Sequence, residues 1–425
     1  MDYNLKLLEY NTKLTNILQS INNHSYYNFG AENREIEGYI RSDKFNFIPN
    51  NIEIKSQLDY IPDNNVTTVG NMRYNLCATT GITYNDMIYA FGGWTADVNN
   101  DTTDIYKFDP ETNNLQLLTA ALPQRVSCNT ACVLGNLIYL VGGGYKNVIQ
   151  VFDPASETVS TLDVALPYSM VDGAVGAYNN NIYIIGGDYS GSNKVYLKTA
   201  IRINVTTKQV DVFDNVLTNG VRDPGTCQYG NKIYIVSGRL TEEYACSRDA
   251  LVYDMETETL SKIADLPEYG LFSRPAVSVI DDYLYVVGTS RHPDHHLKAC
   301  YYQLNLLTGV WTDYSEQITF AAEQVVAATH NNSFYTFGGV RRTSGLNDWS
   351  HRTEVLKYPV NVNLNVPEND IMFHTATEGI LCSPIKINNA SVNVKVDAIY
   401  KGNSDNTVES ITDASVYHNG KWINL

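Results

Sequence analysis

The stretch Gly135-Asn-Leu-Ile-Tyr-Leu-Val-Gly142-Gly143 decides the fold, because the chain contains six copies of its pattern. In each copy a short turn precedes an apolar run with a tyrosine, and a small residue ends the run. The copies end at Gly92-Gly93, Gly142-Gly143, Gly186-Gly187, Ser237-Gly238, Gly288-Thr289 and Gly338-Gly339. Copies 44 to 51 residues apart indicate a β-propeller or another repeat array.

Each repeat contains four strand-like runs, which predict a four-stranded sheet. In the second repeat the runs are residues 126–133, 137–141, 148–153 and 158–164. The first run has small and β-branched residues, as expected of an innermost strand. The second is continuously apolar, which is typical of a strand buried on both faces. Turns such as Asp153-Pro154 reverse the chain into the fourth strand.

The repeated pattern resembles the kelch repeat. An apolar run and a diglycine are followed by a tyrosine or phenylalanine, and a fourth strand can carry a tryptophan such as Trp311. The resemblance extends over residues 63–360 and implies an all-β fold, a six-bladed kelch-type β-propeller. Because one fold serves many functions, the resemblance is nearly silent about activity.

The register of the repeats also predicts how the ring closes. A fourth-strand run precedes every inner strand, and before the first repeat the matching stretch is residues 65–69. Pro359 weakens a regular continuation of the sixth repeat. We therefore expect Asn65–Val69 to complete the last blade and to remove an exposed sheet edge.

Apolar residues within residues 1–24 predict a helix that forms a short coiled coil. Steps of four and three residues connect Tyr3, Leu7, Tyr10, Leu14, Ile17 and Ile21. The residue types at the heptad positions favour self-association as a trimer or a higher oligomer. The alternative is that this helix packs on its own propeller or on a fixed partner.

The other flanking segments predict small β structures. Residues 25–62 are interpreted as a linker or collar, and residues 361–425 as a C-terminal β module. Alternating apolar residues occur in that module, and Asn419-Gly420 predicts the two-residue turn of a hairpin.

Composition excludes several classes of protein. The 46 acidic residues outnumber the 30 Lys and Arg residues, so the net charge of −16 argues against nucleic-acid binding. No apolar run is long enough to predict a membrane span. The first residues do not resemble a secretory signal, so we expect the protein to act where it is made or to leave by cell lysis.

One face of the predicted ring carries most of the candidate binding residues. It combines the loops between strands two and three with the loops that lead into strand one, and we call it the mouth. Its candidate ligand-binding residues are Arg73, Trp94, Arg125, Tyr145, Tyr168, Tyr189, Arg239, Arg274, Arg291, Arg341, Arg342 and Trp349. Guanidinium groups and flat rings suit carboxylates and sugars. Alternatively, these arginines pair with acidic residues of neighbouring blades.

No catalytic or metal-binding motif is present, and we expect no cofactor, no metal and no enzymatic activity. The sequence His292-Pro-Asp-His-His296 is the one cluster that contains metal-ligand residue types. The proline and the adjacent histidines favour an exposed loop instead. The seven cysteines lack metal-site spacing, and three of them fall in inner-strand positions, as small buried residues do.

The two ends of the chain resemble tail and baseplate proteins from phages of Gram-positive bacteria. The resemblance is carried by residues 8–22 and by residues 398–422. It implies a virion component that is released by host lysis and has other virion or tail proteins as partners.

We therefore expect a non-enzymatic structural and binding protein of a phage tail or baseplate. Its propeller would present the mouth to a host-surface glycan or to neighbouring subunits. The alternatives are an intracellular kelch protein-interaction module and a kelch-type sugar enzyme similar to sialic acid mutarotases.

Overall fold

A computed structural model describes residues 40–42, 45–47, 51–54, 57–189, 195–240, 245–291, 297–318, 320–343, 351–365, 371–374, 379–383, 398–402, 408–411, 415–418 and 421–424. The chain divides into two units. One unit is Pro62–Val360, which contains the repeats, and the other combines residues 1–61 with residues 361–425.

Five blades, numbered in chain order, each consist of four antiparallel strands from a single repeat. Blade 1 has the strands Thr79–Tyr84, Met87–Phe91, Ile105–Asp109 and Asn114–Leu117. Blade 2 has Thr130–Leu134, Leu137–Val141, Ile149–Asp153 and Thr158–Thr161. Blade 3 has Ala174–Tyr178, Asn181–Ile185, Ala200–Asn204 and Val210–Phe213. Blade 4 has Gly225–Tyr229, Lys232–Val236, Asp249–Asp254 and Thr259–Asp265, and blade 5 has Leu271–Ile280, Tyr283–Arg291, Leu297–Asn305 and Val310–Asp313.

The sixth repeat belongs to a larger sheet, which we call the closing sheet. Its strands lie in the order Ala328–His330, Ser333–Phe337, Arg352–Asn365, Thr67–Cys77, Trp94–Thr95 and Asn100–Asp101. Within it, Val355 is opposite Gly70 and Lys357 is opposite Thr67. The prediction that the stretch around residues 65–69 pairs with the sixth repeat is therefore confirmed.

The predicted fold class is wrong in its number of blades, since the structure has five blades and not six. Five sheets have the predicted composition, whereas the sixth repeat supplies three strands to a sheet that the start of the propeller completes and extends. The physical reason is that the sixth repeat lacks its own fourth strand, since Arg352–Asn365 runs on out of the repeat. Residues 1–24, including the six heptad residues, lie outside the described residues. The described part contains no α-helix and has one 3₁₀ turn, Ser315–Gln317.

The ring is held together by apolar contacts between neighbouring sheets. Inner strands of successive blades pack on each other, and Ala328–His330 of the closing sheet packs on blades 5 and 1. Between blades 1 and 2, for example, the rings of Phe91 and Phe152 meet edge to face with centroids 5.6 Å apart. The second strand of each blade is buried because it has a sheet on either side, as its continuous apolar sequence predicts.

Short strands of the propeller unit extend the loops of the mouth. They are Met170–Val171, Asp188–Tyr189, Val195–Tyr196, Phe320–Glu323, Val325–Val326 and Val340–Thr343. Phe320–Glu323 pairs with Val340–Thr343, and Met170–Val171 pairs with Asp188–Tyr189. These pairings place the loop that enters an inner strand beside the loop between strands two and three of the same repeat.

The second unit is built from both ends of the chain. One sheet has the strands Phe45–Phe47, Ile40–Ser42, Ser415–His418 and Lys421–Asn424 in that order. The other has Asn51–Ile54, Ile371–His374, Gly379–Ser383, Ala398–Gly402 and Val408–Ile411, and Gln57–Pro62 is a further strand. His418 is opposite Lys421, which confirms the predicted two-residue hairpin connection. The division of the chain into four segments stays a prediction.

Two glycines of the defining stretch allow a test of why the repeat ends in glycine. Gly135 and Gly142 both have left-handed backbone, with φ of +61° and +59°. A Cβ at Gly142 would lie 2.8 Å from the carbonyl oxygen of Met170, whereas a Cβ at Gly135 would meet nothing within 4 Å. We expect Gly135→Ala to cost about 1–2 kcal/mol for backbone strain alone. Gly142→Ala should cost about 1–3 kcal/mol more, because the blade must also shift.

Urea unfolding followed by circular dichroism measures this difference. Equal unfolding midpoints for the two variants would contradict the close approach at Gly142.

Candidate functional site

The inner ends of the six repeats meet in a ring of left-handed residues, which we call the inner belt. The equivalent positions are Ala78, Cys128, Asp172, Asp223, Arg274 and Gln324, and each has φ between +52° and +60°. Backbone hydrogen bonds connect neighbours, as from Cys128 N–H to Ala78 O (3.0 Å) and from Ala78 N–H to Gln324 O (2.6 Å). Left-handed backbone is unfavourable for residues other than glycine, and it often occurs at functional sites.

Between Asp172 and Asp223 the belt is linked by side chains. Both carboxyl groups are buried and lie within hydrogen-bonding reach of each other. The oxygens of Asp172 have no other hydrogen-bond partner among the described residues. Because two adjacent ionised carboxylates repel each other in a buried site, this arrangement favours a pair that holds one proton. We call these two residues the carboxyl pair.

The neighbours of the carboxyl pair determine which member holds the proton. Burial and the adjacent Asp223 raise the pKa of Asp172 well above its usual value, and Arg274 opposes this only in part. Burial would also raise the pKa of Asp223, but the hydrogen bond from Asp172 and the guanidinium groups of Arg239 and Arg222 lower it. Asp172 is thus the neutral donor, and Asp223 is the carboxylate.

Arg222 and Arg239 are held side by side above the carboxyl pair. Arg222 N–H donates to Arg239 O (2.9 Å), and Arg239 N–H donates to Arg222 O (2.6 Å). Such reciprocal bonds make the two residues directly opposite neighbours, whose side chains leave on the same side. The Arg239 guanidinium donates to the Asp223 carboxylate, and Arg222 Nε lies 3.7 Å from it. The side chains of Arg222 and Arg239 remain 20% and 19% exposed, so both reach solvent.

Asp188 and Tyr145 extend the network towards blade 2. Arg222 Nε lies 3.2 Å from Asp188 Oδ2, and the Tyr145 hydroxyl donates to the same oxygen at 2.9 Å. Burial and this hydrogen bond raise the pKa of Tyr145, so the hydroxyl keeps its proton at neutral pH. One continuous polar network therefore joins residues of repeats two to five.

Arg274 forms the floor of this network. It is buried, its Nε lies 3.4 Å from Asp172 Oδ1, and it donates to the carbonyl oxygen of Asn129 at 2.9 Å. The side-chain amide of Asn129 is 0% exposed, and neither of its polar atoms has a hydrogen-bond partner among the described residues.

Three of the predicted binding residues, Tyr145, Arg239 and Arg274, belong to this network. Four others have partners of their own. Tyr168 and Tyr189 pack together with ring centroids 5.6 Å apart. Trp94 contacts His351 edge to face, and Arg125 Nη1 donates to Asp101 O at 3.0 Å.

The remaining predicted residues are Arg73, Arg291, Arg341, Arg342 and Trp349. Arg73 lies over the ring of Tyr74 and is exposed. Arg291, Arg341 and Arg342 lie in strands, and Trp349 and the His292–His296 cluster lie outside the described residues. In the described part of the chain, no group of three His, Cys, Asp or Glu side chains could hold a metal ion.

The candidate binding residues predicted from the sequence did not include the acidic residues of the site, Asp172, Asp188 and Asp223, or the neighbouring Arg222. A usable signal was present in the sequence. Each belt residue lies 14 positions before the first of the two small residues that follow the apolar run of its repeat. Aligning the repeats on that residue brings Asp172, Asp223 and Arg274 into one column. The other three repeats have uncharged residues in this column, namely Ala78, Cys128 and Gln324.

Comparison with known proteins supports the fold. Residues 76–114 match the sequence profile of the Kelch motif. Among many matching solved structures is one titled "Structure of YjhT", with 16% sequence identity and a TM-score of 0.56 over 70% of this chain and 99% of that chain. No curated protein sequence matches this chain. The unit Pro62–Val360 is thus a β-propeller with a match to the Kelch motif in its first repeat, and the fold alone follows from the structural likeness.

The comparisons do not support the resemblance of the terminal segments to phage tail and baseplate proteins. Within the described residues, no helix is both long and apolar enough to cross a membrane.

The assignment of the proton within the carboxyl pair can be tested by two matched substitutions. Asp172→Asn replaces a neutral donor by another, so we expect a loss of stability of about 1 kcal/mol or less. Asp223→Asn removes the carboxylate that pairs with Arg239 and leaves the largely buried guanidinium group of Arg239 uncompensated. We expect that change to cost about 3–5 kcal/mol.

Thermal and urea unfolding at pH 7 compare the two variants with the unmodified chain. If Asp172→Asn proved the more damaging substitution, the proton would reside on Asp223 instead.

Proposed function

We propose that the propeller is a binding module whose mouth takes an anionic group, and specifically the carboxylate of an acidic glycan. The observation that carries this proposal is the pair Arg222 and Arg239, which lie side by side and are both partly open to solvent. Two adjacent guanidinium groups match the planar, two-oxygen geometry of a carboxylate.

The charges of the network support the same conclusion. Arg222, Arg239 and Arg274 provide three positive charges, whereas Asp188 provides one negative charge. Because the carboxyl pair holds a proton, it provides only one more negative charge. The network thus keeps an excess positive charge in low-dielectric surroundings, where attraction for an anion is strong. This excess stands out in a chain whose net charge is −16.

Aromatic residues beside the arginines support a sugar as the carrier of the carboxylate. Tyr145 is part of the network, and the Tyr168–Tyr189 pair lies in the loops of neighbouring repeats. Aromatic side chains offer flat apolar faces together with a polar group, which suits a sugar ring with its hydroxyls.

Calorimetric titration with 3′-sialyllactose, and with lactose as the neutral control, tests this proposal. We expect the acidic sugar to bind and lactose not to bind. Arg239→Gln should weaken binding by about 10- to 100-fold, the loss of one or two charge-assisted hydrogen bonds. Arg202→Gln is the matched control, because Arg202 pairs with Asp211 at 2.7 Å on the third and fourth strands of blade 3.

Equal affinity for lactose and 3′-sialyllactose would contradict the proposal. An Arg239→Gln variant that is folded, as judged by circular dichroism, and binds like the unmodified chain would place the ligand elsewhere.

A sugar enzyme is the second candidate, and the observation that favours it is the proton held beside the arginines. A carboxyl group whose pKa is raised well above its usual value, as burial and Asp223 raise that of Asp172, can act as a general acid. Catalytic amounts of the protein should then accelerate the exchange between the two anomers of N-acetylneuraminic acid, as measured by saturation transfer. Asp172→Asn should abolish the acceleration. Anomer exchange at the spontaneous rate would remove this candidate.

The biological setting is a separate proposal. Self-association through residues 1–24 and a place in a phage tail or baseplate rest on the sequence of segments that lie largely outside the described residues. The binding function proposed for the mouth does not depend on either.

A further inference from the structure

We infer that ligand binding at the mouth is coupled to proton uptake, with the carboxyl pair Asp172–Asp223 as the group that takes up the proton. This inference rests on the proposed function, since it concerns the same site. It adds that the ligand binds as an anion together with one proton.

The position of Asp223 makes this coupling possible. Its carboxylate contacts Arg239 and Arg222 on the solvent side and Asp172 on the buried side. The two arginines are also the groups that an incoming carboxylate would contact. The ligand and Asp223 therefore compete for the same guanidinium groups.

Competition changes the proton affinity of the pair. Once a ligand carboxylate engages Arg239 and Arg222, Asp223 shares the cations that stabilise its negative charge. It also acquires a new negative neighbour, while it remains buried at the inner belt. Both changes favour the neutral form of the buried group, so the pair binds a second proton. The proton comes from solvent, and each carboxyl group then carries one proton.

The other charged and titratable groups that face the pair are Arg222, Arg239, Arg274, Cys128, Tyr145 and Asp188. The arginines stay charged at all relevant pH values. Burial raises the pKa of the Cys128 thiol and of the Tyr145 hydroxyl, so both stay protonated at neutral and acidic pH. Asp188 shares Arg222 with the ligand but keeps the hydrogen bond from the Tyr145 hydroxyl. The carboxyl pair is the group most affected by the ligand, because Asp223 contacts both Arg222 and Arg239.

The sign of the pH dependence follows. In the free protein the pKa of Asp223 is lowered, and in the complex it is higher than in the free protein. Affinity is therefore independent of pH above the higher of these two values, and it increases as the pH falls from the higher value towards the lower one, with a limiting slope of about tenfold per pH unit for one proton. A surface arginine pair without a titratable partner would bind a carboxylate equally well over the same range.

Calorimetric titration of the full chain with 3′-sialyllactose in two buffers of different ionisation enthalpy, bis-Tris and imidazole at pH 6.5, counts the protons. We expect an uptake that approaches one proton per bound ligand, and an affinity that rises as the pH is lowered from 8 to 5.5. Asp223→Asn should bind without proton uptake and with an affinity independent of pH. Asp211→Asn, a carboxylate outside the mouth, should behave like the unmodified chain.

The outcomes separate this inference from the function on which it rests. Binding with the same heat in both buffers, or an affinity that does not change with pH, overturns the proton coupling and leaves the proposed function intact. No binding of 3′-sialyllactose at any pH overturns both. If Asp223→Asn does not fold, the proton count and pH dependence of the unmodified chain still decide the question.

Discussion

Burial of each second strand on both of its faces is the constraint on which the rest of the propeller depends. Runs such as Leu137–Val141 are apolar throughout, so each blade needs a neighbouring sheet on either side. An open row of blades would leave two such strands half exposed, whereas a closed ring leaves none. Closure therefore requires a sheet made from both ends of the unit, and the pairing of Thr67–Cys77 with Arg352–Asn365 provides it.

Closure also determines the chemistry of the mouth. Where the sheets converge, the chain enters each inner strand through a left-handed residue, and backbone hydrogen bonds connect these residues from repeat to repeat. Glycine would adopt this conformation without strain. The chain instead has Asp172, Asp223 and Arg274 at three of the six positions, so it combines backbone strain with the desolvation of ionisable groups. Stability alone does not account for that combination, which is typical of functional sites.

The sequence predicted the features that follow from the repeat period, and it did not predict those that depend on contacts between side chains. Strand positions, the closing pairing near Thr67 and the location of Tyr145, Arg239 and Arg274 at one face all follow from aligning the repeats. The number of equivalent blades did not follow, because the alignment cannot show that Arg352–Asn365 continues beyond its repeat. The acidic partners were missed because an aspartate beside proline, as in Asp223-Pro224, is typical of a turn. Only the packed ring shows that this aspartate faces Asp172 and two arginines.

The asymmetry of the carboxyl pair follows from the order of the repeats around the ring. The two aspartates occupy equivalent positions in their repeats. Asp223, however, follows Arg222 in the chain, and its carboxylate pairs with Arg239, which the backbone holds opposite Arg222. Asp172 has Val171 at the position of Arg222, and its cation, Arg274, is itself buried and serves the backbone of Asn129 as well. The two carboxyl groups are chemically the same, but the charges around them differ. One is therefore the neutral acid and the other is the carboxylate, as in other interacting carboxyl pairs. The side chains thereby make the part of the ring between blades 2 and 5 different from the rest, although the backbone of the belt has the same conformation in every repeat.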